Sequence, residues 1–315
     1  MGELPVSTAL LPMTMIIATR NRATALRRTL ESLGAQPRQP AELIIVDASE
    51  DSSTRAVSGE TVPGLHSVVS WCRADVPGAA TQRNQGVRAS SQSVMGFMDD
   101  DILFEPLCFA RLWSALQSDP HLGGVNAMIT NQRYQTPGRI SRFVFRLMAG
   151  RAERSYAGRV LGPAVNLLPE DNDDLPEIVP VEWLNTTCTL YRREALPDPP
   201  FPDHFTGYSL MEDLTLSLTV GKRWKLANAR TARIYHDSQP GTHKSDPALL
   251  AEMQLINRHF VMTRILGRDR FADYLKLVLF ELFSIASSLQ SRSGRATVAL
   301  GLWGRVEALR RMVTC

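Results

Sequence analysis

The sequence predicts an α/β protein, a mostly parallel sheet flanked by helices and followed by a C-terminal helical appendage. Three observations predict it. Apolar runs at 15–18, 43–46, 66–71 and 94–98 alternate with stretches of helical spacing. The links between them are short, as expected where helices cross from one parallel strand to the next. From Pro247 to the end the apolar spacing is helical.

Taken in order, the first strand is followed by a helix carrying Leu26, Leu30 and Leu33 on one face, with Asn21 placed to cap it. Pro37 and Pro40 separate that helix from the second strand. Residues 79–90 predict a second helix and 106–117 a third. From 136 to 180 the pattern loosens. Arg139, Arg142, Phe143, Phe145 and Arg146 precede an acidic patch at 170–174, and the whole segment reads as an insertion beside the sheet. A strand through 183–190, a proline-rich loop at 197–202, a helix from Leu210 and a short strand pair at 225–235 complete the first part. The expected division is a sheet-bearing domain over 1–240 and a helical region over 241–315. Ligands in such sheets gather at the carboxyl ends of the strands.

Composition narrows the function classes. At 44% hydrophobic and 21% charged the chain is ordinary for a globular protein. A formal charge of +3 without a basic arm argues against nucleic acid as a partner. Cys72, Cys108, Cys188 and Cys315 show no paired spacing, so free thiols in a reducing cytoplasm are expected. The first basic residue is Arg20, and Pro5 and Pro12 interrupt the apolar N-terminus, a pattern unlike a signal peptide. No uncharged apolar run reaches the roughly 18 residues a membrane span needs; the nearest, 277–289, carries Glu281.

Chemistry concentrates where apolar strands end in polar side chains. Phe97 and Met98 lead into Asp99, Asp100 and Asp101. Adjacent carboxylates repel unless a cation or hydrogen-bond donors meet them, and oxygen ligands of this kind suit Mg2+ or Mn2+. The alternative is a solvated turn whose aspartates cap the helix near Pro106. Asp47 ends the second strand, where it would accept from a ribose or base edge, or form an Asx turn. Thr19, Arg20, Asn21 and Arg22 follow the first strand as candidate phosphate or base contacts, or as capping residues. Arg83 lies in the second helix, aimed at a diphosphate or solvent, with Gly86 as a close-packing position. Glu212 and Asp213 stand near the start of a helix whose Leu210, Leu214 and Leu218 define its core face. A carboxylate there can take a proton from an attacking hydroxyl. His236 ends a strand as either a third metal ligand or a structural histidine.

In this order the motifs resemble glycosyltransferase family 2, whose members have the GT-A fold. The resemblance runs from about Thr14 to His236. It rests on residues 16–22, Ile45-Val46-Asp47, Arg83-Asn84-x-Gly86, Asp99-Asp100-Asp101, Arg192-Arg193-Glu194 and Glu212-Asp213. It implies a metal-dependent transfer of sugar from a nucleoside diphosphate sugar to a glycan, lipid-linked or other hydroxyl acceptor. Asp213 is then similar to the base of inverting members. Thr19, Asn21, Arg22, Asp47, Arg83, Asp99 and Asp100 would bind the donor, and Asp101 with His236 would hold Mn2+ or Mg2+. Glu212, Trp183 and Asn185 would support the acceptor. Departures are Asn185-Thr186-Thr187 where relatives often carry glycines, and Thr219 where an arginine is common. Arg223-Trp224 resembles part of a processive-synthase motif, but Val220 replaces its glutamine and processivity is not expected.

Sugar nucleotidyl transfer is the second enzymatic expectation, weakened because 19–22 contains no glycine to cradle a triphosphate. A scaffold that binds nucleotide without turnover is the third. The tail from Asp246 carries ten basic against six acidic side chains, with Tyr274, Leu277, Phe280, Leu282 and Phe283 close together. Two expectations stay open for it: peripheral contact with the inner membrane face, or packing that includes homodimerisation.

Overall fold

The computed structural model describes residues 9–238 and 246–314. Pro5, Cys315 and the expected boundary at 240 lie outside the described residues. The chain forms two compact units. The first holds residues 9–133 and 168–238, and the second 134–167 and 246–314.

The first unit is built on a sheet whose described strands run β3-β2-β1-β4-β10-β6-β11-β5, with β9 also paired to β11. Their ranges are β1 Ala9–Thr19, β2 Arg38–Asp47, β3 Val68–Arg73, β4 Val94–Met98, β5 Ile102–Phe104, β6 Leu122–Ile129, β9 Ile178–Val181, β10 Cys188–Arg192 and β11 Lys225–His236. The pairs β3·β2, β2·β1, β1·β4 and β6·β11 are parallel. β10 runs antiparallel between β4 and β6. The helices are α1 Ala23–Gly34, α2 Ser53–Ser58, α3 Ala79–Ala89, α4 Cys108–Gln117 and α6 Glu212–Val220.

The central strand β4 is apolar and buried along its whole length because both its faces are covered. Met15 and Ile17 share a core with Leu26, Leu30 and Leu33 of α1. Ile16, pointing the other way, meets α3 at Gly86, where a Cβ would overlap its side chain. Gly86 is thus the close-packing position the sequence suggests.

Several local expectations are revised. Pro40 lies within β2 rather than before it. β3 begins pairing only opposite Glu42, so the missing N–H of Pro40 costs no bond on that side. Asn21 does not cap α1. Its φ is +56°, and its Oδ1 accepts from Glu50 N at 2.9 Å. The strand expected over 183–190 begins at Cys188; upstream of it Leu184 N bonds the Ser217 hydroxyl instead of a ladder partner. The strand pair at 225–235 is one long strand, irregular between Ala229 and Arg233. On α6, Leu216 is buried along with Leu214. Leu210 precedes the helix and is only half-buried, like Leu218, so the core face is not the predicted stripe.

The second unit contains α5 Arg139–Ala149, the antiparallel pair β7 Val160–Leu161 and β8 Val165–Asn166, then α7 Pro247–Phe260, α8 Phe271–Ser288 and α9 Arg292–Thr314. Val144, Met148, Tyr156, Leu161 and Val165 form one core, against which Phe145, Phe280 and Phe283 pack. Leu255, Met262, Leu277 and Ala308 form another. Among the described residues no helix is long and apolar enough to cross a membrane.

Candidate functional site

The site lies in the first unit, at the carboxyl ends of its parallel strands. The register sets Ile17 beside Met98 and Thr19 beside Asp47, so the residues after β1, β2 and β4 emerge together. β11 pairs with β5 so that His236 lies opposite Ile102, next to Asp101. The sheet therefore assembles Thr19, Asp99, Asp101 and His236 from three distant segments.

The turn after β4 is held from below. Thr29 of α1, wholly buried, donates to the carbonyl of Asp100 or Ile102 at 2.9 and 3.0 Å. Asp99 N donates to Thr187 O at 3.1 Å. Asp100 turns inward, its Oδ2 accepting from Thr19 Oγ1 at 2.6 Å and its Oδ1 from Arg22 Nη1 at 3.0 Å. Burial pushes its carboxyl up to about 6 despite Arg22, and neighbouring Asp101 adds to the rise. Neither Asp100 nor Asp101 caps α4, whose N-cap is Leu107.

Asp101 Oδ2 shares Arg22 Nη1 at 3.0 Å, while Oδ1 faces His236 Nε2 at 3.1 Å. His236 Nε2 also lies 4.0 Å from Asp99 Oδ2. One ligand atom from each of Asp99, Asp101 and His236 falls within 4.8 Å of the other two. Gln132 Nε2 touches His236 Nδ1 at 3.0 Å. The amide donates to Nδ1, so Nε2–H donates to Asp101 Oδ1; binding a cation through Nε2 would require the other tautomer, with the Gln132 amide reversed to accept from Nδ1–H. Two carboxylates with an imidazole form a donor set that fits a divalent cation of the Mn2+ type.

Arg83 joins this group to α6. Its guanidinium, almost fully buried, donates from Nη2 to Asp99 Oδ1 at 3.1 Å and from Nη1 to Glu212 Oε1 at 2.8 Å. Burial opposes its charge, but Glu212 and Asp99 outweigh burial and hold it protonated. Asp213 Oδ1 accepts from Leu214 N at 2.7 Å. Burial raises both acidic groups of α6. Asp213 then adds to the rise in Glu212, while the rise in Asp213 is partly opposed by its bond to Leu214. A carboxylate raised by burial to about 6 at one side of a site and a cluster able to hold a cation at the other can serve proton abstraction and anion stabilisation together.

Other expected residues are placed less directly. Asp47 is wholly enclosed, its oxygens accepting from Ser49 N at 2.7 Å and Trp71 Nε1 at 3.1 Å. In this structure it forms an Asx turn that shapes 48–54, and its carboxylate does not reach the site surface. Trp183 and Asn185 are buried, and Asn185 Oδ1 has no hydrogen-bond partner among the described residues. The segment carrying them is tied to α6 through Ser217 and to Asp99 through Thr187.

Three contributors escape sequence reasoning. Gln132 reaches His236 only because β6 and β11 are neighbours. Thr29 reads as an ordinary helix residue. Tyr208 is raised by burial and by its proximity to Asp99 and Glu212; the loop 197–208 gives no local signal for it.

The comparisons agree with this architecture. The family model described as "Glycosyl transferase family 2" matches residues 14–196. Among solved structures, a mannosyltransferase from Pyrobaculum calidifontis in complex with GDP-Man and Mn2+ superposes with TM-score 0.56 at 14% identity, over 95% of this chain and 87% of that one. GalNAc-T7 with UDP, GalNAc and Mn2+ gives 0.51 at 15%, over 72% of this chain and 44% of that one. A search of curated proteins returns no match. The fold is the GT-A fold of glycosyltransferases. The chain belongs to glycosyl transferase family 2.

Proposed function

We propose that the protein transfers a sugar from a nucleoside diphosphate sugar to an acceptor hydroxyl with inversion, one sugar per encounter, using Asp213 as general base. The observation that carries this is the Arg83 bridge. Arg83 bonds both Asp99 and Glu212, which supports reading Asp99 as the donor side and Glu212 with adjoining Asp213 as the acceptor side of one site.

Asp99, Asp101 and His236 would hold Mn2+, or Mg2+ less well because imidazole is a softer ligand than Mg2+ prefers. When bound, that cation supplies positive charge against the diphosphate as the sugar–phosphate bond breaks. Arg22 and Thr19 keep Asp100 and Asp101 in position. Arg83 orients Asp99 and neutralises Glu212, so that Asp213 is the carboxylate left to accept the acceptor's proton. Asn21 and Arg22 lie at the rim for donor contacts, while Asp47 acts by fixing the turn beneath. Trp183 and Asn185 support the acceptor side through their link to α6. The mannosyltransferase and GalNAc-T7 complexes, which contain nucleotides and Mn2+, support the donor class. Cys72, Cys108 and Cys188 are free thiols, which supports a reducing compartment such as the cytoplasm.

The test is a thermal-shift titration of UDP, dTDP and GDP with Mn2+ or with EDTA, since a ligand binding only the folded state raises its apparent stability. The wild type is expected to be stabilised by one nucleotide with Mn2+ and much less with EDTA. Asp101→Ala should keep its fold and lose the Mn2+-dependent part. Equal stabilisation with EDTA would overturn the metal assignment, and a transfer product that retains the anomeric configuration would overturn inversion.

A further inference from the structure

The charge of this protein is segregated. The described residues of the second unit carry six arginines against one glutamate over 134–167, and ten basic against six acidic side chains over 246–314. That is a surplus of nine positive charges. The whole chain has three, so the remainder carries six negative.

The same unit exposes large apolar side chains. On α5, Val144 and Met148 face inward, while Ile140, Phe143 and Leu147 stand 76%, 62% and 42% exposed. These three recur at helical spacing on one face. Immediately before each in sequence are Arg139, Arg142 and Arg146, also exposed, which form a basic stripe alongside the apolar one. On α8, which packs against α5 through Phe145 and Phe283, the residues Phe271, Leu275, Val278 and Leu282 share an outer face and are all more than half exposed. Its charged Asp273, Lys276 and Glu281 lie off that face. Folded monomers rarely leave two neighbouring helices with apolar outer stripes unless something covers them.

We infer that α5 and α8 form an interfacial docking surface for an anionic lipid bilayer. Apolar side chains flanked by arginines suit the boundary between acyl chains and anionic headgroups. The absence of a spanning helix among the described residues makes the contact peripheral. A second copy of this chain is the poorer occupant, because a two-fold contact through this face would set the arginine stripes of α5 against each other. The segment 136–180, which sequence alone presents as an insertion beside the sheet, thus contributes the membrane-facing helix. The inference does not depend on the glycosyltransferase site.

The experiment is flotation of the full-length protein with phosphatidylcholine vesicles and with vesicles of phosphatidylcholine and phosphatidylglycerol, at low and moderate salt. Binding to the anionic vesicles is expected, weakened by salt because the attraction is screened. Arg142→Gln and Arg146→Gln should each weaken it about fivefold, and Phe143→Ser with Val278→Ser should abolish it. Arg27→Gln and Arg88→Gln, exposed arginines of the first unit, should leave it unchanged. All variants should keep the wild-type response to nucleotide and Mn2+, which separates this surface from the donor site. A wild type that stays soluble with anionic vesicles at low salt overturns the inference. So does loss of binding in the Arg27 and Arg88 variants equal to that in the Arg142 and Arg146 variants, since net charge alone would then explain it. Dimerisation at micromolar concentration that Phe143→Ser removes would assign the face to self-association instead.

Discussion

Replacing Asp213 by asparagine separates a base from a structural carboxylate, because the two roles predict opposite changes in stability. The Asp213 carboxyl is raised by burial from 3.8 to about 6. The folded state therefore binds more protons than the unfolded chain across that window, and folding loses stability as pH rises through it. Above pH 6 the whole penalty is present. At about 1.4 kcal/mol per pH unit its ceiling is about 3 kcal/mol. Asp213 is only half-buried, so solvent screening reduces this to about 1–2 kcal/mol. Asparagine removes the penalty and also the like charge beside Glu212. Asp213→Asn should therefore melt higher than the wild type at pH 8, while at pH 4 the two should nearly coincide. Transfer should meanwhile fall about 10²–10⁴-fold, with donor affinity kept. Wild-type transfer should decline as pH drops through about 6, as the base becomes protonated. Melting curves at the two pH values and a nucleotide-release assay measure all of this. A variant that is destabilised at pH 8, or that loses nucleotide binding along with transfer, would refute the assignment.

Two further outcomes follow from the supports of the site. Arg83→Lys keeps the charge but cannot span Asp99 and Glu212 from one ammonium, leaving a buried carboxylate short of a partner at a cost of about 1–3 kcal/mol; a lysine variant that melts and turns over like the wild type would show that the bridge is incidental. Gly86→Ala forces a Cβ into the buried Ile16 side chain, and overpacking of about 1–3 kcal/mol should exceed the roughly 1 kcal/mol gained in helix propensity. A lower melting temperature with weaker nucleotide binding, because α3 carries Arg83, is expected, and an unchanged one would contradict the packing.

What the sequence discloses is what local physics controls. Asp99 to Asp101 are visible because they follow the apolar strand β4, and Thr19 and His236 because each ends a strand; strand ends in a parallel sheet collect at one edge. What it hides depends on pairing between distant segments. Arg83 and Glu212 are separated by 129 positions, and nothing near either announces the other. Asp47 looks available for a ligand until the β2–β3 register brings Trp71 onto its carboxylate. The stripe of Leu210, Leu214 and Leu218 misleads because α6 is enclosed on several sides, so that periodicity no longer distinguishes its faces. Residues 183–187 look like a strand by composition, but Ser217 takes the backbone bond that a ladder partner would have made. The tail's positive charge is plain in the sequence, whereas the membership of α5 in the same unit is a property of the fold.

The electrostatics of the site also bear on why it is built this way. Asp99, Asp100, Asp101, Glu212 and Asp213 face two arginines, Arg22 and Arg83, through direct contacts or close approach. Fully ionised, this cluster holds three surplus negative charges, and burial raises Asp100, Glu212 and Asp213 in response. Such a site alone repels a diphosphate. A site meant to bind phosphate by itself would show the reverse, a surplus of arginine, lysine or backbone N–H groups. Carboxylates in excess make sense when the anion arrives with a divalent cation, each making the other's binding favourable. Under the proposed function, the stability forgone by gathering these carboxylates would appear as selectivity for the cation–diphosphate pair over free nucleotide, and Asp213, raised to about 6 by burial, would serve as the base near neutral pH.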